Sequence, residues 1–278
     1  MKLMSLKKTD ILFIQTSLIV LPPILRIKAI KQFKLIYLIH DLYCLKYNTE
    51  KSIRINQKEI RKDMYYMSKC DYVIAHNNLM VEKLKQFGCT SKLIPLGIFD
   101  YDCSYPRKRR VLAVNEQIKV TFAGFLGKAN FLTKLDQTPH KNYQLFVYGI
   151  PKIALRNSIY KGNIDADMLP NVIEGHFGLI WEGEYDANPE DNYMCVNNPH
   201  KLSMYIVAGL PIIAWNKSAA ARFIETNGIG LTVDTLDEVD KCVKEISPAK
   251  YSDMVNNCLA IRERLVHGDY LRNALNMI

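Results

Sequence analysis

The chain has 278 residues, 49% hydrophobic and 23% charged, with 37 Lys and Arg against 28 Asp and Glu for a net charge of +9. This excludes a disordered or fibrous chain and leaves room for two α/β domains of modest size or one large domain. The basic excess suits an anionic partner, whether a nucleotide sugar, an anionic membrane surface or a nucleic acid, without choosing among them.

In chain order, the first predicted strand is Asp10–Ile14, inside the longest apolar stretch, Ile11 to Leu25. Gln15, Thr16, Ser17 and Pro22-Pro23 interrupt that stretch, so it is too short and broken to span a bilayer, and no signal-peptide cleavage pattern follows. A helix is expected over Pro23–Phe33, a strand over Leu35–Ile39, and a long charged helix near Glu50–Lys69. The strands Tyr72–Ala75 and Lys92–Leu96 bracket a helix, Leu79–Phe87, that Gly88 ends. The strands are nearly continuously apolar, as strands covered on both faces are, and their alternation with helices predicts parallel βαβ units.

Phe99–Gln117 has no clear period and reads as an interdomain linker. It contains Pro106 and the basic run Arg107-Lys108-Arg109-Arg110, either a solvated charge run or a membrane or phosphate contact. A second alternating series follows. Its strands are Lys119–Ala123, Gln144–Tyr148, Phe177–Trp181, Pro211–Trp215 and Leu231–Val233. Its helices are expected near Ala129–Asp136, Ala166–Leu169, His200–Ala208, Ala219–Thr226 and Leu236–Ile246. From Tyr251 the pattern is an amphipathic helix. The expected domains are therefore 1–105, 106–250 and a C-terminal helix over 251–278.

Seven cysteines are scattered, odd in number and never spaced Cys-x-x-Cys, which predicts buried thiols in a reducing cytoplasm rather than disulfides or structural zinc. The phosphate loop, the Gly-x-Gly-x-x-Gly dinucleotide fingerprint and the Gly-x-Ser-x-Gly nucleophile elbow are all missing, which removes the main support for kinase, dehydrogenase and serine hydrolase readings. No recognised nucleic-acid motif accompanies the charge, so no nucleic-acid partner is expected. Asp-x-Asp occurs at Asp100/Asp102 and Asp165/Asp167. Such a pair can hold a divalent cation against a diphosphate, but at a helix start acidic residues are explained by capping and the dipole.

Asn197–Ser203 is the most informative segment. Asn198-Pro199 predicts a helix start, with Asn198 as cap and Pro199 in the first helical position; Gly209 ends the helix and Pro211 leads into a strand. A diphosphate at such a start would meet backbone N–H groups and the positive dipole end. Lys201 in the first turn opposes the dipole unless an anion compensates it, although as an isolated residue it reads as an ordinary surface lysine.

The pattern Asn-x-Pro-x-Lys-x-Ser-x-Tyr-x-x-x-Gly-x-Pro, followed by Ser218-Ala219 and Gly228-Ile-Gly230, resembles the donor domain of GT-B glycosyltransferases. More narrowly it is similar to the bacterial galactofuranosyltransferase and glucosyltransferase group of polysaccharide and glycoprotein assembly. Ile39-His40-Asp41-Leu42, Phe122 to Lys128, Tyr148-Gly149 and Gly178 to Gly183 agree with it, so the resemblance runs from about Asp10 to the end.

The resemblance implies an α/β fold of two facing Rossmann-like domains, with a C-terminal helix returning to the first. It implies a hexosyl- or galactofuranosyltransferase that uses a UDP-sugar as substrate, with inversion and with neither a metal nor another cofactor. Lys128 and Lys201 would neutralise the diphosphate, Asn198 and Ser203 would add hydrogen bonds near phosphates or ribose, and Tyr148, Gly149, Tyr160, Trp181 and Glu182 would line the donor pocket. Trp181 and Tyr148 are equally well read as core aromatics. His40 or Asp41, preferably Asp41, would be the general base for the acceptor hydroxyl, though a strand-end His-Asp also reads as structural. Asn77 reads as an acceptor-face residue or a helix cap.

The acceptor would be a glycan, lipid-linked or on a glycoprotein, with an anionic membrane surface docked through Arg26, Lys28, Lys31 and Lys34 together with the basic run of the linker. A cytoplasmic protein, peripheral at the inner face of the membrane and free to form homo-oligomers, fits these readings. Relative to the family, the chain begins without an earlier strand, glycine-containing loop and helix. That difference motivates the alternative of a non-catalytic relative acting as a binding or assembly partner. Phe125 stands where the family pattern tends to have Asn, and Glu182 where Asp is common.

Overall fold

The protein is described by a computed structural model covering residues 3–46, 53–105, 109–113, 116–138, 142–185 and 193–278. Arg107 and Lys108 of the basic run, and the start of the helix expected from Glu50, lie outside these residues. The chain forms two compact units: Met1–Gly97 with Glu190–Asn197 and Leu271–Ile278, and Ile98–Pro189 with Asn198–Tyr270.

The first unit is a parallel four-stranded sheet with its strands side by side in chain order. They are β1 (Ile11–Ile14), β2 (Lys34–Leu38), β3 (Tyr72–Ala75) and β4 (Lys92–Pro95). Helices α1 (Leu21–Lys31), α2 (Tyr43–Lys46), α3 (Ile53–Met67) and α4 (Asn78–Gln86) connect them. Leu35, Val73 and Ala75 are fully buried in one core with Leu21, Phe33 and Leu84, which is why these strands read as apolar runs. The last residues of the chain belong to this unit, and Tyr72 Oη donates to Ile278 O at 3.2 Å.

The second unit is a parallel six-stranded sheet built from β5 (Ile118–Ala123), β6 (Tyr143–Tyr148), β7 (Ile159–Gly162), β8 (Phe177–Ile180), β9 (Ile212–Trp215) and β10 (Gly230–Val233). Their order across the sheet is β10-β9-β8-β5-β6-β7. The chain therefore runs outward in one direction from β5, then restarts beside it at β8. This is the Rossmann order, with its reversal point between β5 and β8. Helices α5 (Phe131–Gln137), α6 (Leu169–Val172), α7 (His200–Val207), α8 (Ala219–Asn227) and α9 (Val239–Lys244) connect the strands, and α10 (Pro248–Val266) and α11 (Asp269–Leu275) complete the chain.

Several boundaries depart from the sequence reading for local reasons. Strand β7 was not foreseen, because it is an edge strand without a buried apolar run. The helix expected at Ala166–Leu169 starts later, at Leu169, after a turn in which Met168 and Leu169 N–H both donate to Asp165 O. A short 3-10 turn, Leu236–Glu238, precedes α9. The C-terminal helix breaks at Gly268, which adopts φ +72°.

The expected linker also does more than connect. Phe99 is buried in the second unit, and Arg110 is half-buried there. Its guanidinium donates to Ala208 O at 3.2 Å, Gly175 O at 3.3 Å and Ile173 O at 2.7 Å. Three carbonyls therefore hold the charge, a use that neither reading of the basic run anticipated. Asp100 accepts Tyr270 N–H at 3.1 Å, so it caps the start of α11. Among the described residues no group of three or more His, Cys, Asp or Glu could hold a metal ion.

Candidate active site

In the second unit, β5 and β8 pair only at Val120–Phe177 and Thr121–Gly178, then diverge. Open α/β sheets bind ligands at the carboxyl ends of the strands where the order reverses, and this opening lies at that position. Helix α7 follows β8 in the fold, and six consecutive residues, Leu202 to Val207, are buried. The helix starts one residue later than expected: Pro199 is the N-cap, and its ring offers no capping hydrogen bond. Asn198 is thus displaced from the predicted capping role, because Pro199 takes the extended cap conformation itself.

Lys201 stands over this opening. Its ammonium lies 4.5 Å from the Phe122 ring centroid and 3.8 Å from Glu182 Oε1, and a Cβ on Gly124 would be 3.7 Å from it. Its side chain is mostly covered, with 16% of its surface accessible. Lys201 thus places a cation, with Glu182 beside it, in the first turn of α7, where the helix dipole favours an anion.

Tyr205, one turn along α7, is buried beneath it. Its hydroxyl accepts Ala123 N–H at 2.9 Å and lies 3.3 Å from both Thr121 O and Leu179 O. Burial pushes its phenol pKa well up, so the hydroxyl stays protonated. The sequence motif contained this tyrosine, but nothing local in it signalled a contact with two strands.

Ser203 does a different job from the one expected. It is fully buried and donates to Phe99 O at 2.5 Å, while the Phe99 ring stacks on His200 at 4.0 Å. The hydroxyl proton is therefore used to fasten α7, not to reach a phosphate or ribose. Trp181 is a core aromatic, 1% exposed, with its indole N–H on Glu184 O at 3.0 Å and its ring 6.2 Å from that of Trp215.

Tyr148, Gly149 and Tyr160 come together at the ends of β6 and β7. Tyr148 is buried and its hydroxyl accepts Glu174 N–H at 3.1 Å, while Tyr160 Oη donates to Gly149 O at 2.9 Å. Gly149 has φ +131°, and a Cβ there would fall 1.8 Å from Gly124 O, so no side chain fits. The loop after β5 and the loop after β6 thus touch backbone to backbone, with Gly124 N–H on Tyr148 O at 3.1 Å. Together they border a cavity of about 240 Å³ lined by Gly124, Phe125, Tyr148, Gly149, Asn163 and Leu169. Phe125 is 57% exposed at its edge, and Lys128, also exposed, ends the 3-10 turn Leu126–Lys128 that follows.

In the first unit, His40 and Asp41 follow β2 and are both half-buried. Burial lowers the His40 pKa and Asp41 works against that shift. The surrounding turn is fixed from both sides: His76, 1% exposed, places Nε2 3.0 Å from Ile39 O, and Leu42 N–H donates to Tyr193 Oη at 2.9 Å. Asn77 is a helix cap, accepting Met80 N–H at 3.0 Å and donating to Val196 O at 3.0 Å. His76 and Tyr193 were not singled out from sequence, since their partners lie 37 and 151 positions away.

Family models match both halves of the chain. The model of the glucosyltransferase 3-like N-terminal domain matches residues 3–98, and that of the glucosyltransferase 3-like C-terminal domain matches residues 120–278. The chain belongs to the glucosyltransferase 3-like family. It is 30% identical over 261 residues to the beta-1,6-galactofuranosyltransferase WbbI of Escherichia coli K12, covering 89% of this chain and 72% of that one. It is 25% identical over 245 residues to glucosyltransferase 3 of Streptococcus parasanguinis, covering 87% and 69%. The fold matches that of Anabaena HepE, solved with UDP-glucose, at a TM-score of 0.66 and 13% identity, over 97% of this chain and 79% of that one. This family member is a glycosyltransferase of the GT-B fold.

Proposed function

We propose that the protein transfers a hexosyl or galactofuranosyl unit from a UDP-sugar to a glycan acceptor in surface polysaccharide or glycoprotein assembly. The carrying observation is Lys201, held over the divergence of β5 and β8 in the first turn of α7. Relatives named as a galactofuranosyltransferase and a glucosyltransferase, and a fold relative holding UDP-glucose, support the same donor class.

The second unit is the donor side. The diphosphate sits at the start of α7 against Lys201, with Lys128 and Asn198 at its rim, and the base and ribose extend toward the cavity beside Gly149 and Phe125. As the glycosidic bond breaks, negative charge grows on the departing diphosphate, and a fixed ammonium stabilises that charge more than it stabilises the ground state. Two lysines supply the charge that a divalent cation supplies elsewhere, so transfer proceeds in excess EDTA. The first unit is the acceptor side. Asp41, with His40 beside it, removes the proton from the acceptor hydroxyl, and direct attack inverts the anomeric centre.

Titration calorimetry with UDP tests the donor reading. The intact protein binds UDP, and Lys201→Ala lowers the affinity at least about tenfold, the loss of one charge-assisted phosphate contact. An intact protein with no UDP affinity overturns the reading.

A lipid-linked acceptor places the first unit at an anionic surface. A groove of about 720 Å³ between α1 and α3 is lined by Arg26, Lys28, Lys69, Leu25, Tyr65 and Tyr66 among others, with no carboxylate in its lining. Lys28 is paired with Asp71 at 3.1 Å, and Ile30 is exposed near Arg26 on α1. Cations with exposed apolar groups are the chemistry of an interfacial surface. Among the described residues no helix is long and apolar enough to cross a membrane. Sedimentation with phosphatidylglycerol vesicles but not with phosphatidylcholine vesicles is expected, and equal behaviour with both ends this part of the reading.

A further inference from the structure

We infer that Tyr205 is a positioning residue whose buried hydroxyl keeps the donor crevice open by standing between β5 and β8. This inference rests on the donor reading above and adds what builds the crevice. Both strands continue past the divergence: β5 stays paired with β6 to Ala123–Tyr148, and β8 with β9 to Ile180–Ala214. The two strands therefore part over their last two residues, while each stays paired with its other neighbour.

The groups a closed ladder would satisfy are instead met by one phenol oxygen. It accepts Ala123 N–H at 2.9 Å and gives its proton to Thr121 O or Leu179 O, each 3.3 Å away. Buried backbone groups need such partners, so the wedge removes the drive to close the ladder. The ring has room because position 178 is glycine: a Cβ there would lie 2.4 Å from the Tyr205 ring. Gly178 and Tyr205 form a matched pair, one vacating the space that the other fills.

Lys201 lies four residues before Tyr205 on α7, so the two side chains share one face of the helix. Fixing the hydroxyl against the strand ends sets the height of the Lys201 ammonium above them. The cation and the spacer beneath it are thus delivered by one helical turn.

The test is Tyr205→Phe, which removes only the hydroxyl, with two readouts. Hydrogen exchange of the ligand-free protein is expected to accelerate at least about tenfold at the Ala123 amide, which loses its acceptor. UDP affinity is expected to fall at least about fivefold in protein that still melts cooperatively. A purely structural tyrosine would lower the melting temperature and leave the affinity of the folded fraction unchanged. Unchanged exchange at Ala123 overturns the wedge whatever UDP does, and unchanged UDP affinity overturns its role in the donor site. Absence of UDP binding in the unsubstituted protein, with exchange altered as expected, overturns the donor reading and leaves the wedge standing. Should Tyr205→Phe fail to fold, Gly178→Ala carries the same two readouts, since its methyl displaces the ring while the hydroxyl remains.

Discussion

Arg110 and Arg262 hold neighbouring carbonyls at the end of one helix: Arg110 Nε donates to Ala208 O at 3.2 Å and Arg262 Nε to Val207 O at 3.3 Å. The two arginines come from different segments, one before β5 and one within α10, and converge on the negative end of α7. The opposite end of that helix carries Lys201. Arg262 is 6% exposed and also donates to Tyr105 O at 2.5 Å.

Removing either guanidinium strands buried carbonyls. Arg110→Met is expected to cost about 2–3 kcal/mol in urea unfolding. Arg262→Met should cost a similar amount. The double substitution should cost less than the sum, because both act on one helix end. Additive losses would show that the two sites are independent.

Gly149→Ala tests the contact between the loops after β5 and β6. The added methyl meets Gly124 O at 1.8 Å in a backbone conformation with φ +131°. No rotamer relieves a backbone clash, so both loops must move, at more than about 3 kcal/mol. Thermal unfolding should show that loss, and the variant that still folds should bind UDP more weakly.

Asp136 is expected to contribute to the acid sensitivity of the second unit. Its buried carboxylate accepts the N–H groups of Arg156, Asn157 and Ser158 at 2.6, 3.0 and 2.7 Å. Burial alone would raise its pKa, but these hydrogen bonds prevail and hold it below the ordinary value. A depressed carboxylate stabilises the fold above its unfolded pKa, and that contribution is lost as pH falls through the folded value. Asp136→Asn should therefore be less stable than the unsubstituted protein at pH 7, with the gap narrowing as pH drops below about 4. A gap independent of pH would remove the carboxylate from this role.

His176 gives a second pH dependence, at higher pH. Its Nδ1 accepts Lys119 N–H at 2.9 Å, so the neutral ring carries its proton on Nε2, 3.5 Å from Glu116 Oε2. Burial lowers its pKa, with Glu116 opposing. The neutral form stabilises the fold above the unfolded value of about 6.5, and that stability falls as pH drops through the lower folded value. Stability should decline as pH falls below about 6.5, and His176→Gln should flatten that part of the profile.

Phe125 borders the cavity beside Gly149 with 57% of its surface exposed. An exposed aromatic contributes little to folding, so Phe125→Ala should leave stability nearly unchanged. If the cavity takes the nucleotide base, UDP affinity should fall severalfold, the scale of one lost stacking contact. Unchanged affinity would place the base elsewhere.

The alternation of apolar strands with helical segments was legible along the chain because a parallel sheet covered on both faces makes nearly every strand residue apolar. Tyr72–Ala75 was read to the residue, and β5, β6, β8, β9 and β10 to within one. Edge strand β7 escaped because only one side of it is paired and its residues are not buried as a run. The helix beginning near Pro199, with Lys201 in its first turn, was likewise visible, since glycine, proline and charge act through the local backbone.

Sequence alone therefore determined two α/β units and the helix that carries the candidate donor lysine. Only the tertiary structure decided what the surrounding polar groups do. Ser203 turned to Phe99, Trp181 to Glu184, Arg110 to three carbonyls and Tyr205 to the gap between β5 and β8. Each of these choices is a hydrogen bond to a backbone atom, and every backbone atom looks the same in a sequence. Which one a side chain meets depends on strand order and on where a strand pair opens, and those are properties of the assembled sheet.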